Sequence, residues 1–258
     1  MSYINDLVQP ISAAGNEEKR LKLVQYGESK AGKSFRAATA AQWGPVLFLD
    51  FDGNMSRTAT DFATHPDREK MTFVSLNPFS DGKEAEQQIR KLLDELVAEA
   101  DKPRFATIVI DTWTSWERIV MNALLGPAAQ GAGVVERTPQ KEHYIRNAQV
   151  QKTWIQKFFN GLRPYNVIIN CHTKMLKDER TGMMKPALAA TGGLGLELTR
   201  FSNELHFLDY RNGKHTVRVV PDSLYDAFTK IVDKPKDGIM ADNSLAPFSA
   251  MAFKLEAK

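Results

Sequence analysis

The sequence predicts an α/β fold: a mainly parallel, twisted sheet flanked by helices. Short apolar runs of strand length alternate with longer amphipathic stretches, the pattern of strands joined by helical crossovers. Runs such as Val46–Leu49, Ala106–Ile110 and Val167–Cys171 are almost continuously apolar, as strands covered on both faces require. Polar and glycine residues (Gly27, Asp52, Asp111 and His172) fall at or just past the ends of these runs. Parallel sheets bind their ligands at the carboxyl ends of the strands, so one edge would gather all four.

In order along the chain, residues 1–20 are polar and end in a charged run, and they are expected to form an N-terminal arm. Residues 21–26 (LKLVQY) predict a strand entering a loop at Gly27, and the alanine-rich stretch 34–43 predicts a helix stopped by Gly44-Pro45. Strands follow at 46–49 and 71–76. Asp81 is placed to cap the next helix, with Glu84 three residues on as its reciprocal partner. Ile89, Leu92, Leu93, Leu96 and Val97 share one face of that helix. Strands at 106–110 and 167–171 bracket helices at 114–125 and about 143–162, which a Gly/Ala-rich loop separates. A C-terminal β-hairpin is expected from 205–209 and 216–220 around Asn212-Gly213. The expected domains are therefore an arm at 1–20, a core at 21–222 and an extension at 223–258.

Gly27-Glu28-Ser29-Lys30-Ala31-Gly32-Lys33-Ser34 has the spacing Gly-x4-Gly-Lys-Ser. The two glycines let successive amides turn inward around phosphates, and the following helix adds its positive end. Lys33 would reach the β- and γ-phosphates, and the Ser34 hydroxyl would bind magnesium. Lys30 either adds charge to this cradle or faces a neighbouring subunit or solvent. Asp111 ends an apolar strand and would hold magnesium opposite Ser34, or else cap the next helix. Asp50 and Asp52 lie on one face of an extended chain. Asp52 is the candidate base for orienting an attacking water, with Asp50 as the alternative. His172 is a candidate γ-phosphate sensor.

These features, in this order, resemble the RecA-like P-loop ATPases. The likeness is closest to phage-encoded single-strand-annealing and recombination ATPases of the Sak type, AAA-like phage nucleotide-binding proteins. GESKAGKS at 27–34, FLDFDG at 48–53, IVIDT at 108–112 and IINCHT at 168–173 carry the resemblance, which spans 21–222. It implies ATP and Mg²⁺ as cofactors, hydrolysis to ADP and phosphate between subunits, and assembly as a ring or filament. It further implies DNA-binding loops at 126–140 and 173–193, with single-stranded DNA and a single-strand-binding protein as partners. The family's usual glutamate base is replaced here by Asp52. Lys174, Lys177, Arg180 and Lys185 make the second loop basic, which suits phosphate contacts to one strand. That loop has no aromatic residue for base stacking. A Lys-x-Arg finger is missing after the last strands, leaving Lys230 or Arg218 to act in trans. A hexameric helicase-like motor shares every motif, and a phosphotransferase or a nucleotide switch without DNA remains an alternative.

Net charge is only +3, so bulk charge alone does not mark a nucleic-acid coat. The single cysteine, Cys171, lies in an apolar run and indicates a reducing compartment. No apolar run reaches the ~20 residues of a membrane span, and residues 1–20 lack a signal-peptide core. The expected location is cytoplasmic, the host cytoplasm if the chain is phage-encoded.

Overall fold

A computed structural model describes residues 20–76, 82–126, 138–179, 182–230, 235–240, 243–252 and 254. Eight strands form one sheet. In chain order they are β1 (Lys22–Gly27), β2 (Val46–Asp50), β3 (Met71–Ser75), β4 (Thr107–Asp111), β5 (Asn166–Cys171), β8 (Glu204–Arg211), β9 (Lys214–Arg218) and β10 (Ile239–Met240). The remaining two, β6 (Thr173–Lys177) and β7 (Met184–Leu188), pair only with each other. The sheet order is β10-β9-β8-β1-β5-β4-β2-β3. Six strands, from β8 to β3, run parallel. β9 and β10 extend the sheet antiparallel. This is the expected α/β architecture, a mainly parallel sheet flanked by helices, with the expected C-terminal hairpin.

Side chains alternate between two cores because successive strand residues point to opposite faces. One core packs α3 (Gly82–Ala98), α4 (Trp113–Leu125), α5 (Lys141–Gln156) and α6 (Leu194–Phe201) onto Val24, Ile110, Val167 and their neighbours. Its centre is aromatic: Trp116 meets Trp154 edge to face with ring centroids 4.8 Å apart, and Phe158 packs beside both. The other core lies under α1 (Lys33–Ala38), the 3-10 turn Thr39–Trp43 and α2 (Met55–Asp61), and holds Leu23, Phe48, Val109 and Phe248.

The expected helix at 34–43 is split. Lys33–Ala38 are α-helical, and Thr39–Trp43 tighten into 3-10. The Thr39 hydroxyl turns back onto the Arg36 carbonyl at 2.7 Å, competing with the helical ladder. The helix expected at 143–162 runs from Lys141 and ends in a π turn, Lys157–Gly161. The hairpin turn at Asn212-Gly213 has φ of 53° and 74°, the pair of positive values a two-residue hairpin turn needs.

A larger difference concerns residues 173–193, expected as a loop. They form the β6–β7 hairpin, paired from Thr173–Leu188 to Lys177–Met184. β6 reads Thr-Lys-Met-Leu-Lys and β7 Met-Lys-Pro-Ala-Leu, with no period-2 alternation to mark either as a strand. Beyond residue 222, β10 adds a strand to the sheet. The arm at 1–19, the Asp81 cap, Arg180 and most of the loop at 126–140 lie outside the described residues.

Candidate nucleotide site

β1 delivers the chain into the phosphate loop with no room for a side chain at Gly27. A Cβ there would collide with the Leu208 carbonyl oxygen of β8, so glycine is required by the close approach of two backbones. Gly32, at φ 90°, turns the chain into α1, and Lys30 is also left-handed at φ 66°. Glu28, Ser29 and Lys30 are exposed, whereas Lys33 is buried. The Lys33 ammonium donates to the carbonyls of Gly27 (2.8 Å) and Glu28 (2.7 Å), which holds it inside the loop. Burial lowers its pKa, and the negative charges of Asp111 and Asp52 oppose that shift.

Ser34 Oγ donates to Asp111 Oδ2 at 2.6 Å, so the first turn of α1 faces the end of β4. A hydroxyl and a carboxylate at this separation are a hard-oxygen pair suited to a divalent cation that also takes phosphate and water oxygens. Among the described residues no cluster of three or more His, Cys, Asp or Glu forms an all-protein metal site. Burial raises the Asp111 pKa, against donors from Ser34 and Asn170. Thr112 caps α4, accepting from the Ser115 amide at 3.3 Å.

The two aspartates at the end of β2 and just beyond it part company. Asp50 is buried and accepts from the Met55 amide (2.8 Å), the Asn54 amide (3.3 Å) and the Ser75 hydroxyl (3.0 Å). Its oxygens are thus occupied in holding the start of α2 and the end of β3. Asp52 lies in the cleft, accepting from Thr112 Oγ1 at 3.2 Å, with His172 Nε2 3.6 Å from its other oxygen. Burial pushes the Asp52 carboxyl up, but hydrogen bonds from His172, Ser115 and Thr112 outweigh it and leave the pKa below the usual value. The cleft they line, with Lys33, Ser34, Phe35, Asp111 and His215, measures about 480 Å³.

His172 also joins this cleft to the hairpin. Its amide donates to Thr114 Oγ1 (3.1 Å), and its carbonyl accepts from the Ala189 amide (2.9 Å) at the far end of β7. Below, the buried Glu117 of α4 accepts from the Thr191 amide and hydroxyl, the latter at 2.7 Å, and from Trp113 Nε1 at 2.8 Å. Burial raises the Glu117 pKa despite those donors.

The basic candidates on the hairpin differ among themselves. Lys177 is exposed. Lys174 is held by the Ala190 carbonyl, and Lys185 lies 3.4 Å from Asp226. Met175, Leu176, Met183 and Met184 are exposed beside them. Arg218 pairs with Asp222 at 2.9 Å and stacks over Tyr225. Lys230 is exposed next to Glu204, at the amino end of β8 and so at the sheet edge opposite the cleft.

Sequence reasoning missed His215, whose Nδ1 lies 3.1 Å from the Ala31 carbonyl of the loop, and the buried amides Gln25 and Asn170. The signal for the last two was a polar residue inside an otherwise apolar strand.

A glycine loop entering a helix, with a carboxylate strand end facing its serine, defines a P-loop nucleotide-binding protein. The AAA domain family model matches residues 19–229, most of the 258-residue chain, and the chain belongs to that family. It is accordingly a P-loop ATPase of the AAA class. Among solved structures, the chain is similar to one described as an ATPase domain, at a TM-score of 0.37 and 12% identity, over 77% of this chain and 75% of that one. No curated protein matches. No helix among the described residues is long and apolar enough to cross a membrane.

Proposed function

We propose that this chain hydrolyses ATP to ADP and phosphate and uses the cycle to bind and release single-stranded DNA, in phage-type recombination or single-strand annealing. The observation that carries the reading is the continuity of chain from the cleft into the hairpin: His172 contacts Asp52 on one side and opens β6 on the other.

In this reading the loop amides of 27–34 and the Lys33 ammonium hold the phosphates, with Lys30 at their margin. Ser34 and Asp111 would hold Mg²⁺, which neutralises phosphate charge when bound. Asp52, kept ionised by its donors, orients the attacking water and accepts its proton. His172 reports the state of that carboxylate to the hairpin through Ala189. The residues that meet DNA in this reading are Lys174, Lys177, Arg180 and Lys185. Exposed Met175, Met183 and Met184 provide apolar contact for bases, the role that missing aromatics leave open.

A ring or filament of copies in the cytoplasm completes the reading. An apolar groove of about 600 Å³, lined by Leu176, Leu188, Leu196 and Phe228, supports association with a second copy. Lys230, at the opposite edge, is better placed than Arg218 to act in trans, since Arg218 is engaged within its own chain.

The test is fluorescence anisotropy of labelled single-stranded DNA with a non-hydrolysable ATP analogue or ADP, with mass measurement of the same samples. Tighter DNA binding and a larger assembly with the analogue support the reading. Binding indifferent to nucleotide contradicts it, and ATP-driven separation of a duplex would assign a motor instead.

A further inference from the structure

Beneath the cleft, one polar residue per strand occupies a single register across six strands. From β3 to β8 the order is Ser75, Asp50, Asp111, Asn170, Gln25 and His206. All but Ser75 are buried. Amides placed there destabilise the fold unless each is hydrogen-bonded, so their partners define what they are for.

The middle of the row has a fixed direction. Arg36, a buried residue of α1, has only donors to offer, and its Nη1 donates to Gln25 Oε1 at 2.9 Å. Gln25 must then use Nε2 toward its other neighbours, the Lys33 carbonyl at 2.8 Å and Asn170 Oδ1 at 2.6 Å. Asn170 is left with Nδ2 to donate to Asp111 Oδ1 at 3.0 Å. The second oxygen, Oδ2, faces Ser34. A chain that starts on a donor-only guanidinium and ends on a carboxylate fits together one way. Flipping either amide would set oxygen against oxygen or hydrogen against hydrogen.

We infer that Gln25 and Asn170 are positioning residues for a divalent cation bound with nucleotide, fixing the Asp111 carboxylate so that Oδ2 faces Ser34. Gln25 also steadies the loop by holding the carbonyl of Lys33, the first residue of α1. The inference rests on the proposed ATPase reading and adds the shell that orients its cation-binding pair. Outer partners of metal ligands act in this way in other sites, where removing one weakens metal affinity by about 10- to 100-fold.

The experiment titrates Mg²⁺ against binding of a fluorescent ADP analogue, and measures the analogue's affinity separately in EDTA. Asn170→Leu removes the donor to Asp111. Gln25→Glu keeps the volume and the Arg36 contact but cannot donate to Asn170. Asn170→Leu is expected to need roughly 10- to 100-fold more Mg²⁺ for half-maximal effect, with affinity in EDTA unchanged. Gln25→Glu, which also gives up the Lys33 carbonyl, is expected to weaken binding in EDTA and to weaken it further in Mg²⁺. Thermal melting establishes that each variant is folded, and Gln25→Glu carries the test if Asn170→Leu does not fold. An unchanged Mg²⁺ requirement in a folded variant overturns the inference, as does equal weakening with and without Mg²⁺. If the wild type itself shows no nucleotide binding, the ATPase reading fails and the inference falls with it.

Discussion

The nucleotide cleft and the β6–β7 hairpin meet at His172, yet they are built in opposite ways. In the cleft, Lys33, Asp50 and Asp111 are buried, and each polar atom is held by named partners from a different strand or loop. On the hairpin, Lys177 and four large apolar residues are exposed, and its fastenings to the body gather at its base. Chemistry on a phosphate needs groups fixed before the reaction begins. A surface that takes successive nucleotides of any sequence needs charge and apolar area without a fixed partner. Under the proposed function, the difference separates a cleft fixed for chemistry from a hairpin left open for binding.

Five substitutions would break or sharpen that division. The largest effect belongs to Lys33→Ala, which should lower ATP turnover by at least about 100-fold, with the fold intact by circular dichroism. Next are the paired aspartates. Asp52→Asn should cost about 100-fold in turnover with little change in melting temperature. Asp50→Asn should do the reverse, losing roughly 1–2 kcal/mol of stability by denaturant melting because its oxygens hold α2 and Ser75. If both lower turnover equally, the two carboxylates have not been told apart. Glu117→Gln loosens the hairpin base without touching the cleft. It should reduce stimulation by single-stranded DNA while DNA-free turnover stays as in the wild type. Lys177→Ala is the gentlest: DNA affinity falls slightly, and its dependence on log salt flattens by about 0.7, the share of one contact to a single strand. An unchanged salt slope would place Lys177 off the DNA.

Much of this was legible in the sequence because it rests on local patterns. The loop at 27–34 has a spacing set by backbone geometry, and the strands at 46–49, 106–110 and 167–171 declare themselves by continuous apolar character. The assignment between Asp50 and Asp52 was not legible. It turns on Met55 and Ser75, which reach Asp50 from separate elements. The hairpin at 173–188 was read as a loop because neither Thr-Lys-Met-Leu-Lys nor Met-Lys-Pro-Ala-Leu alternates, so its pairing is visible only in three dimensions. Gln25 and Asn170 were visible as polar residues in apolar strands. That they adjoin each other depends on β5 lying between β1 and β4, an order that no local pattern specifies.

The most direct test of the central claim is steady-state ATP turnover of the wild type and Lys33→Ala in Mg²⁺, each with and without single-stranded DNA. The account predicts wild-type turnover that rises with DNA, and none above background in the variant under either condition. Wild-type turnover that DNA leaves unchanged would contradict it, detaching the hairpin from the chemistry of the cleft.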